Sequence, residues 1–585
     1  MIISHRYKRF FFVFLTVIVV LCLYFAAGAD PSHAQERMGD VLKSLEADQK
    51  MAIPPPTPKA PPAIQKEPLP KARVTAPAGQ KIVVKKIIVE GSTLINKEEI
   101  DAIIVPNEGK SFNLEELGMI AEIITAKYME NGYIISYAYL PPQEVKDGIV
   151  RYRVVEGKVG EILVTRDKPA GYFSYSDDFI KRHIRTVLSD PSLREGNLEN
   201  SLLLLSGYNG LTAKSTLKQG KAPGTTDIVT NVADKFPWAA SLFYDNFGSV
   251  TTSKHRIGMG LDFGNLLTSG DLLLLRGVTG IDKFDVNTIS YARVDYVIPL
   301  GGWGTKSGVY YANSVYKAGQ ELAVLEARGR ADIGGVYFTH PIIKTRDQEL
   351  SVKIGFDYKN IHEYLLGDTR SADRLRIVGG SFTYDFLDRF LGKNVITAGF
   401  YQGMLNITDG SHNGDLNLSR MGAKVNFEKT TLDLMRIQKL PGYNHLILRA
   451  NGQWSPDVML VSEQYSIGGM GTVRGYSPSV ASGDKGYTAS AELVVSPFFP
   501  EATIMKRKFG DIFKLAGFID HGYVFKIAPM PGETKSDQLT GIGWGLRIYW
   551  GREFMLRVDV AVPRSENESF HYSDNISYFQ AVMSF

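Results

Sequence analysis

Between Gly468 and Tyr476 the chain reads Gly-Gly-Met-Gly-Thr-Val-Arg-Gly-Tyr, an arginine set among glycines. Glycines on both sides let the backbone turn sharply, because they adopt left-handed dihedrals that other residues avoid. Arg474 then stands at a loop tip, flanked by Val473, Gly475 and Tyr476. Further on comes Phe518-Ile519-Asp520-His521-Gly522, in a stretch whose alternation puts Lys514 and Asp520 on one strand face. A guanidinium joined to a carboxylate by two parallel hydrogen bonds is a geometrically specific contact, suited to fixing the position of a loop. The residue types equally fit a surface loop with a solvated arginine and an unrelated aspartate. A partly wet ion pair contributes only about 0–1 kcal/mol, so such a contact would position a loop rather than stabilise the fold.

Other chemistries find no constellation. There is no phosphate-cradling G-x-x-x-x-G-K-[ST], no H-E-x-x-H and no G-x-S-x-G elbow. His362-Glu363 is not followed by a second histidine at metal spacing, and the ten histidines are scattered. Neither an enzyme nor a bound cofactor or metal is expected. The 66 basic and 62 acidic residues leave a formal charge of +4, and no basic cluster is long enough to point to nucleic acid.

The elements that must carry Arg474 and Asp520 alternate with period two. Ile542, Trp544, Leu546, Ile548 and Trp550 interleave with Gly543, Gly545, Arg547 and Tyr549. Phe554, Leu556, Val558, Val560 and Val562 interleave with Met555, Arg557, Asp559 and Ala561. Similar runs occupy 446–454 and 257–263. One face is apolar while the other accepts arginine, aspartate and glycine, the pattern of a membrane barrel with a wet lumen. The chain ends the same way: Phe579, Ala581, Met583 and Phe585 share one face, Gln580 and Ser584 the other. A terminal aromatic such as Phe585 is how bacterial outer-membrane barrels commonly end. At roughly 20–22 residues per strand and turn, residues 236–585 make a transmembrane antiparallel β-barrel of about 16 strands.

Upstream, His5, Arg6, Lys8 and Arg9 precede an apolar run from Phe10 to Phe25 and the small residues Ala26-Ala27-Gly28-Ala29. Residues 1–29 read as a secretory signal peptide cleaved after Ala29, or alternatively after Ala34. The only cysteine, Cys22, lies inside it, so the mature chain would carry no thiol. Beyond residue 30 no apolar run reaches the roughly 18 residues of a spanning helix, which leaves a closed barrel as the way across a bilayer. In 35–52, Met38, Val41, Leu42 and Leu45 recur at the spacing of an amphipathic helix. Residues 53–80, proline-rich from Pro54 to Pro70, form an extended tether that cannot pack into a core.

Two α+β modules follow, 81–157 and 158–235, each in the order β-α-α-β-β. The first is expected as strand 82–90, helices near 96–104 and 114–130, and strands 133–140 and 149–155. The second is expected as strand 159–165, helices near 177–188 and 198–207, and strands 213–219 and 226–234.

Val473-Arg474-Gly475-Tyr476 matches the VRGY loop motif, and Phe518-x-Asp520-x-Gly522 the partner motif, of TpsB transporters, the haemolysin activation/secretion proteins. These are the outer-membrane pores of two-partner secretion, within the superfamily of POTRA-bearing barrels. Tyr244-Asp245-Asn246-Phe247-Gly248 and the stretch from His340 to Asp347 look similar to that family too. The resemblance implies that the two modules are periplasmic POTRA domains that capture an unfolded exoprotein, a large β-helical adhesin or haemolysin. The barrel would pass it outward in extended form once a plug formed by 35–52 has left the lumen. The Arg474 loop would reach down the lumen to Asp520, and the barrel-assembly machinery would read Phe585 during biogenesis. Two other readings stand beside this one. A barrel-assembly or insertion factor of the same superfamily usually carries more modules, and a diffusion porin or plugged receptor would have no use for two.

Overall fold

The computed structural model describes residues 38, 41, 64–66, 81–167, 171–185, 192–282, 288–565 and 575–585. The expected signal peptide at 1–29 lies outside these, as do most of the expected helix 35–52 and of the linker 53–80.

In the first module the stretch read as one strand is divided. Ile82–Val83 pairs with Ser111–Phe112, whereas Lys86–Glu90 lies parallel to Ile149–Val155. Helices Lys97–Ile104 and Leu114–Glu130 cover the sheet. A reciprocal cap starts the second helix: Glu116 N–H donates to Asn113 Oδ1 at 2.8 Å, and Asn113 N–H to Glu116 Oε2 at 2.7 Å. Its Leu117, Ile120, Ala121, Ile124 and Tyr128 share one face and pack on Val150, Tyr152 and Val154. The expected strand 133–140 contracts to Tyr137–Tyr139. Its first half is drawn away to join the modules: Ile134 and Ile135 are buried in the second module's core, and the Arg194 guanidinium lies 5.0 Å above the Tyr133 ring. Alternation alone could not separate that bridge from a strand.

The second module repeats the topology. Lys158–Arg166 runs parallel to Thr225–Asp234, with Leu211–Gln219 antiparallel on the other side. Helices Asp177–Arg185 and Glu195–Ser206 lie on the sheet. Burial holds the His183 imidazole below its usual pKa, and its ring nitrogens reach Phe179 O at 2.9 Å and Tyr208 Oη at 3.0 Å. One part of the tether departs from expectation. Ile64–Lys66 adds to this sheet as a further strand, parallel to Leu211–Gln219. The prolines pause after Pro62 and resume at Pro68, which restores the backbone N–H groups that a ladder needs.

From Trp238–Asp245 to Ile576–Ser584, sixteen strands close into an antiparallel barrel. The first and last pair from Ser241↔Ser584 to Asp245↔Gln580. Phe585 extends that seam, its N–H donating to Ala240 O at 2.8 Å, while Phe579 N–H donates to Asn246 Oδ1 at 2.7 Å. The Phe585 ring itself is exposed. Leu242, Met259, Val309, Phe382 and Trp544 stand out from the outer wall, where lipid would meet them. No helix among the described residues is long and apolar enough to cross a membrane.

The second module sits against the barrel's near rim. Arg346 donates to Glu199 Oε1 from Nη2 at 2.6 Å and from Nε at 3.0 Å, so the turn that ends the His340–Asp347 stretch holds the Glu195–Ser206 helix. Close approach at this rim requires glycine. A Cβ on Gly304 would lie 2.5 Å from Leu204 Cδ2, and one on Gly270 2.5 Å from Phe179 Cζ. With that rim periplasmic, the connection between His445–Trp454 and Lys485–Val495 emerges on the opposite, extracellular side.

Candidate functional site: a loop locked in the lumen

The extracellular connection after Trp454 folds back into the barrel. A short hairpin, Tyr465–Ile467 with Ala481–Gly483, forms its stem. Gly468 and Gly469, at φ of 109° and 88°, turn the chain downward, and Gly475 at 98° turns it again beyond Arg474. Val473 and Tyr476 are fully buried, packed with Ile467, Val524 and Leu539. Tyr476 Oη donates to Thr540 O at 2.8 Å and accepts from the Ser565 N–H at 3.0 Å. Gly475 N–H donates to Tyr578 Oη at 3.1 Å.

Arg474 and Asp520 meet side by side. Nε donates to Asp520 Oδ2 at 2.6 Å and Nη2 to Oδ1 at 2.9 Å, and the Arg474 backbone N–H reaches Oδ2 at 3.2 Å. The guanidinium carbon lies 3.3 Å from the centroid of the Phe518 ring, so the motif's aromatic stacks on the cation. Gly522 leaves room for the loop, since a Cβ there would come 2.8 Å from Val473 Cγ2. Ser490 Oγ donates to Asp520 Oδ1 at 2.7 Å and orients the carboxylate.

The contact is larger than one pair. Arg474 Nη1 also donates to Glu492 Oε2 at 2.8 Å and approaches Asp559 Oδ2 at 3.4 Å. Arg547 bridges Glu492, at 3.0 Å, and Asp559. Arg557 Nε donates to Asp559 Oδ2 at 2.9 Å. Three guanidinium groups thus interleave with three buried carboxylates, and opposite charges neutralise one another where a lone charge would be costly. Sequence alternation placed Arg547, Arg557 and Asp559 on the lumen face but not in one cluster, and Glu492 went unread. A usable signal existed in Gly541-x-Gly543-x-Gly545. A Cβ on Gly541 would lie 1.9 Å from Arg474 O, and one on Gly543 2.3 Å from Phe518 Cζ. Three glycines on one face of a strand mark where another backbone approaches.

A second body shares the lumen. Of residues 35–52 the structure describes Met38 and Val41, both helical and buried. They pack on wall residues that include Val278, Tyr291, Ala312, Tyr316, Ala331 and Ile361. Met38 N–H donates to Glu363 Oε1 at 2.7 Å. Glu363, read as the orphan half of a failed metal motif, is a buried wall carboxylate that also accepts from Ser371 Oγ at 3.4 Å.

A closed sixteen-stranded barrel with periplasmic α+β modules and an extracellular loop locked in its lumen defines a POTRA-bearing outer-membrane transporter. The chain belongs to the family of haemolysin secretion/activation proteins ShlB/FhaC/HecB, which residues 224–548 match, and residues 82–157 match the ShlB-type POTRA domain. It is 26% identical to the heme/hemopexin transporter protein HuxB of Haemophilus influenzae (strain 86-028NP) over 487 residues, 80% of this chain and 81% of that protein. With the outer membrane transporter CdiB of Escherichia coli O6:K15:H31 it shares 24% identity over 437 residues, 72% of this chain and 70% of that one. The solved structure of CdiB from Escherichia coli superposes with a TM-score of 0.71 at 20% identity, covering 95% of this chain and all of that one. BamA from Haemophilus ducreyi, lacking POTRA domains 1–3, shares the fold at a TM-score of 0.51 and 13% identity, over 86% of this chain and all of that one. The protein is therefore an outer-membrane transporter of two-partner secretion that works with a secreted exoprotein. Members of the family are transporters rather than enzymes.

Proposed function

We propose that the cargo is a large β-helical adhesin or haemolysin, passed unfolded along a lumen whose two occupants have different tasks. The Arg474 loop is a permanent part of the conducting wall, and the 35–52 segment is a plug that leaves before transport. The observation that carries this reading is the pair of lodgings themselves: a loop tied by an interleaved ion cluster, and Met38 with Val41 resting on apolar wall. An ion cluster with several partners per guanidinium fixes geometry, whereas apolar contact is non-directional and can be remade elsewhere. Direction comes from folding of the exported chain outside, with no nucleotide involved. Phe585, at the end of the last strand, serves the barrel-assembly machinery during insertion.

The domain limits that support this scheme are a signal peptide to residue 29, the plug at 35–52, POTRA domains at 81–157 and 158–235, and the barrel from 236. Planar-bilayer conductance tests the plug. A chain lacking residues 35–52 is expected to hold a steady open current where the full chain is mostly closed, and identical currents would remove the plug from the mechanism.

A further inference from the structure

Turns elsewhere on the barrel's periplasmic rim are brief: residues 345–347 join Lys344 to Gln348, and residues 551–553 join Trp550 to Phe554. Between Lys485–Val495 and Phe513–Phe525 the chain instead devotes residues 496–512 to a built structure. Thr503–Ile504 pairs with Arg507–Lys508 as a small hairpin, and Phe509–Ile512 makes one helical turn. Its base is tied, with Phe509 N–H donating to Ala502 O at 2.7 Å and Gly510 N–H to Pro500 O at 2.9 Å. A two-residue hairpin loop with both residues left-handed ordinarily reads Asn-Gly. Here it reads Met505-Lys506, at φ of 48° and 68°, and Phe499 close by stands at 39°. Left-handed backbone is costly for such side chains, and it persists where they serve another purpose. Phe498, Phe499, Ile504 and Met505 are all exposed, and so is Lys506.

The hairpin leans toward the outer wall. Arg507, the register partner of Ile504, has its guanidinium carbon 5.3 Å from the Trp550 ring centroid and donates from Nη2 to Glu553 Oε2 at 3.3 Å. Trp550 ends a strand whose Trp544, on the same face, stands out from the wall. Lys508 Nζ donates to Glu501 Oε2 at 2.8 Å, so Arg507 and Lys508 each meet a carboxylate of the protein itself. The second module does not reach this place. Gly304, where it docks, lies between the fourth and fifth strands of the ring, and residues 496–512 lie between the twelfth and thirteenth, eight strands away in a ring of sixteen.

We propose that residues 498–506 are a foot that dips into the phospholipid of the periplasmic leaflet. Phe498, Phe499, Ile504 and Met505 enter the upper part of the acyl chains, and Lys506 reaches back to a phosphate, its stem in the apolar layer and its charge in the headgroups. Burial of the apolar side chains supplies the affinity, and a contiguous exposed apolar patch beside a lipid-facing wall is explained by lipid. Through Trp550 the foot is continuous with that wall, at the level where barrels carry their aromatic girdle. The foot joins the two strands that bear Glu492 and Asp520, so it holds that sector of the wall at a set depth in the membrane.

The test uses the full chain in vesicles of phosphatidylethanolamine and phosphatidylglycerol, with Cys22→Ser so that one introduced thiol carries an environment-sensitive nitrobenzoxadiazole dye. Met505→Cys is compared with Leu493→Cys on the lipid-facing wall and with Leu416→Cys on the extracellular connection after Gly403. Heat-modifiable gel migration first verifies that each barrel is folded. A phospholipid with a nitroxide near the top of its acyl chain should quench the dye on Met505→Cys as strongly as that on Leu493→Cys, and leave that on Leu416→Cys unquenched. Met505→Asn/Lys506→Gly suits the turn better yet removes the tip. A dye on Phe499→Cys should therefore lose most of its quenching in that background, and full quenching there overturns the proposal. A dye on Met505→Cys as unquenched as that on Leu416→Cys also overturns it. So does a Met505→Cys dye whose emission shifts to the blue only when reduced, carboxymethylated α-lactalbumin is added, which would make the foot a site for unfolded polypeptide.

Discussion

Two stretches of one barrel wall hold their lumenal guests by opposite means. From Lys485–Val495 to Phe554–Pro563 the wall presents Glu492, Asp520, Arg547, Arg557 and Asp559 to the Arg474 loop. From Leu272–Gly280 to Gln348–Leu365 it presents Val278, Tyr291, Ala312, Ala331 and Ile361 to Met38 and Val41, with Glu363 at one end. The ionic wall grips a loop covalently continuous with the strands beside it, so the loop stays at a high effective concentration at its site. The apolar wall grips a segment that reaches it from outside the barrel. Removing one charge from the first leaves others buried and unpaired, whereas the second can lose its guest and re-pack or fill with water. In the proposed scheme the ionic half anchors its guest and the apolar half releases it.

The most severe way to break this contrast is Arg474→Ala. It removes the guanidinium paired with Asp520 and leaves Glu492 and Asp559 to Arg547 and Arg557, and breaking a buried ion network costs about 3–5 kcal/mol. Export in a secretion assay should fall roughly a hundredfold or more on that scale, while heat-modifiable gel migration persists because the strand ladder does not run through Arg474. Normal export would place the loop outside the conducting path.

Swapping charges, Arg474→Asp with Asp520→Arg, sharpens the point. A simple pair would be rescued. Here the new carboxylate would face Glu492 and Asp559, 2.8 and 3.4 Å from the present guanidinium nitrogen, and like charges so placed cost several kcal/mol. Secretion should recover only in part, and full recovery would reduce the cluster to its Arg474–Asp520 contact.

Glu363→Ala acts on the other wall. Loss of a hydrogen bond to a charged acceptor is worth about 1.5–3 kcal/mol, so single-channel records should show open time raised at least about tenfold, with export retained. Glu363→Gln keeps an acceptor oxygen and should fall between. An open time unchanged in both would mean that Met38 is held by packing alone. Val41→Ala has the smallest expected effect: about 1 kcal/mol of lost burial, a few-fold rise in open time, and no change in protease protection of the Arg474 loop. A change in that protection would show the two lodgings to be coupled.

Several of these features were legible before any coordinates. Alternation in 542–550 and 554–562 gave the barrel and its wet face, because period two is a local consequence of the pleat. The helix expected near 114–130 was readable because its apolar spacing lies within a few turns, whereas its Asn113–Glu116 cap came only with the structure. The Gly468–Tyr476 turn announced itself through glycines whose backbone need is equally local. What stayed hidden depends on which distant residues share a row. Glu492 lies opposite Phe518 in the neighbouring strand, so its part in the cluster is set by inter-strand register rather than by its own neighbours. Ile134 and Ile135 left their strand for the core of another module, and Ile64–Lys66 took a place on a sheet many residues away.

By itself, then, the chain determined its periodicities, its turns, its charges and the likeness of two short motifs to a family, all of them properties of a few consecutive residues. Only the closed tertiary structure decided that Arg474 meets three carboxylates, that Glu363 receives the Met38 N–H, and that a gap between prolines becomes a strand. Those outcomes follow from barrel closure and domain docking, which bring together residues that no local spacing relates.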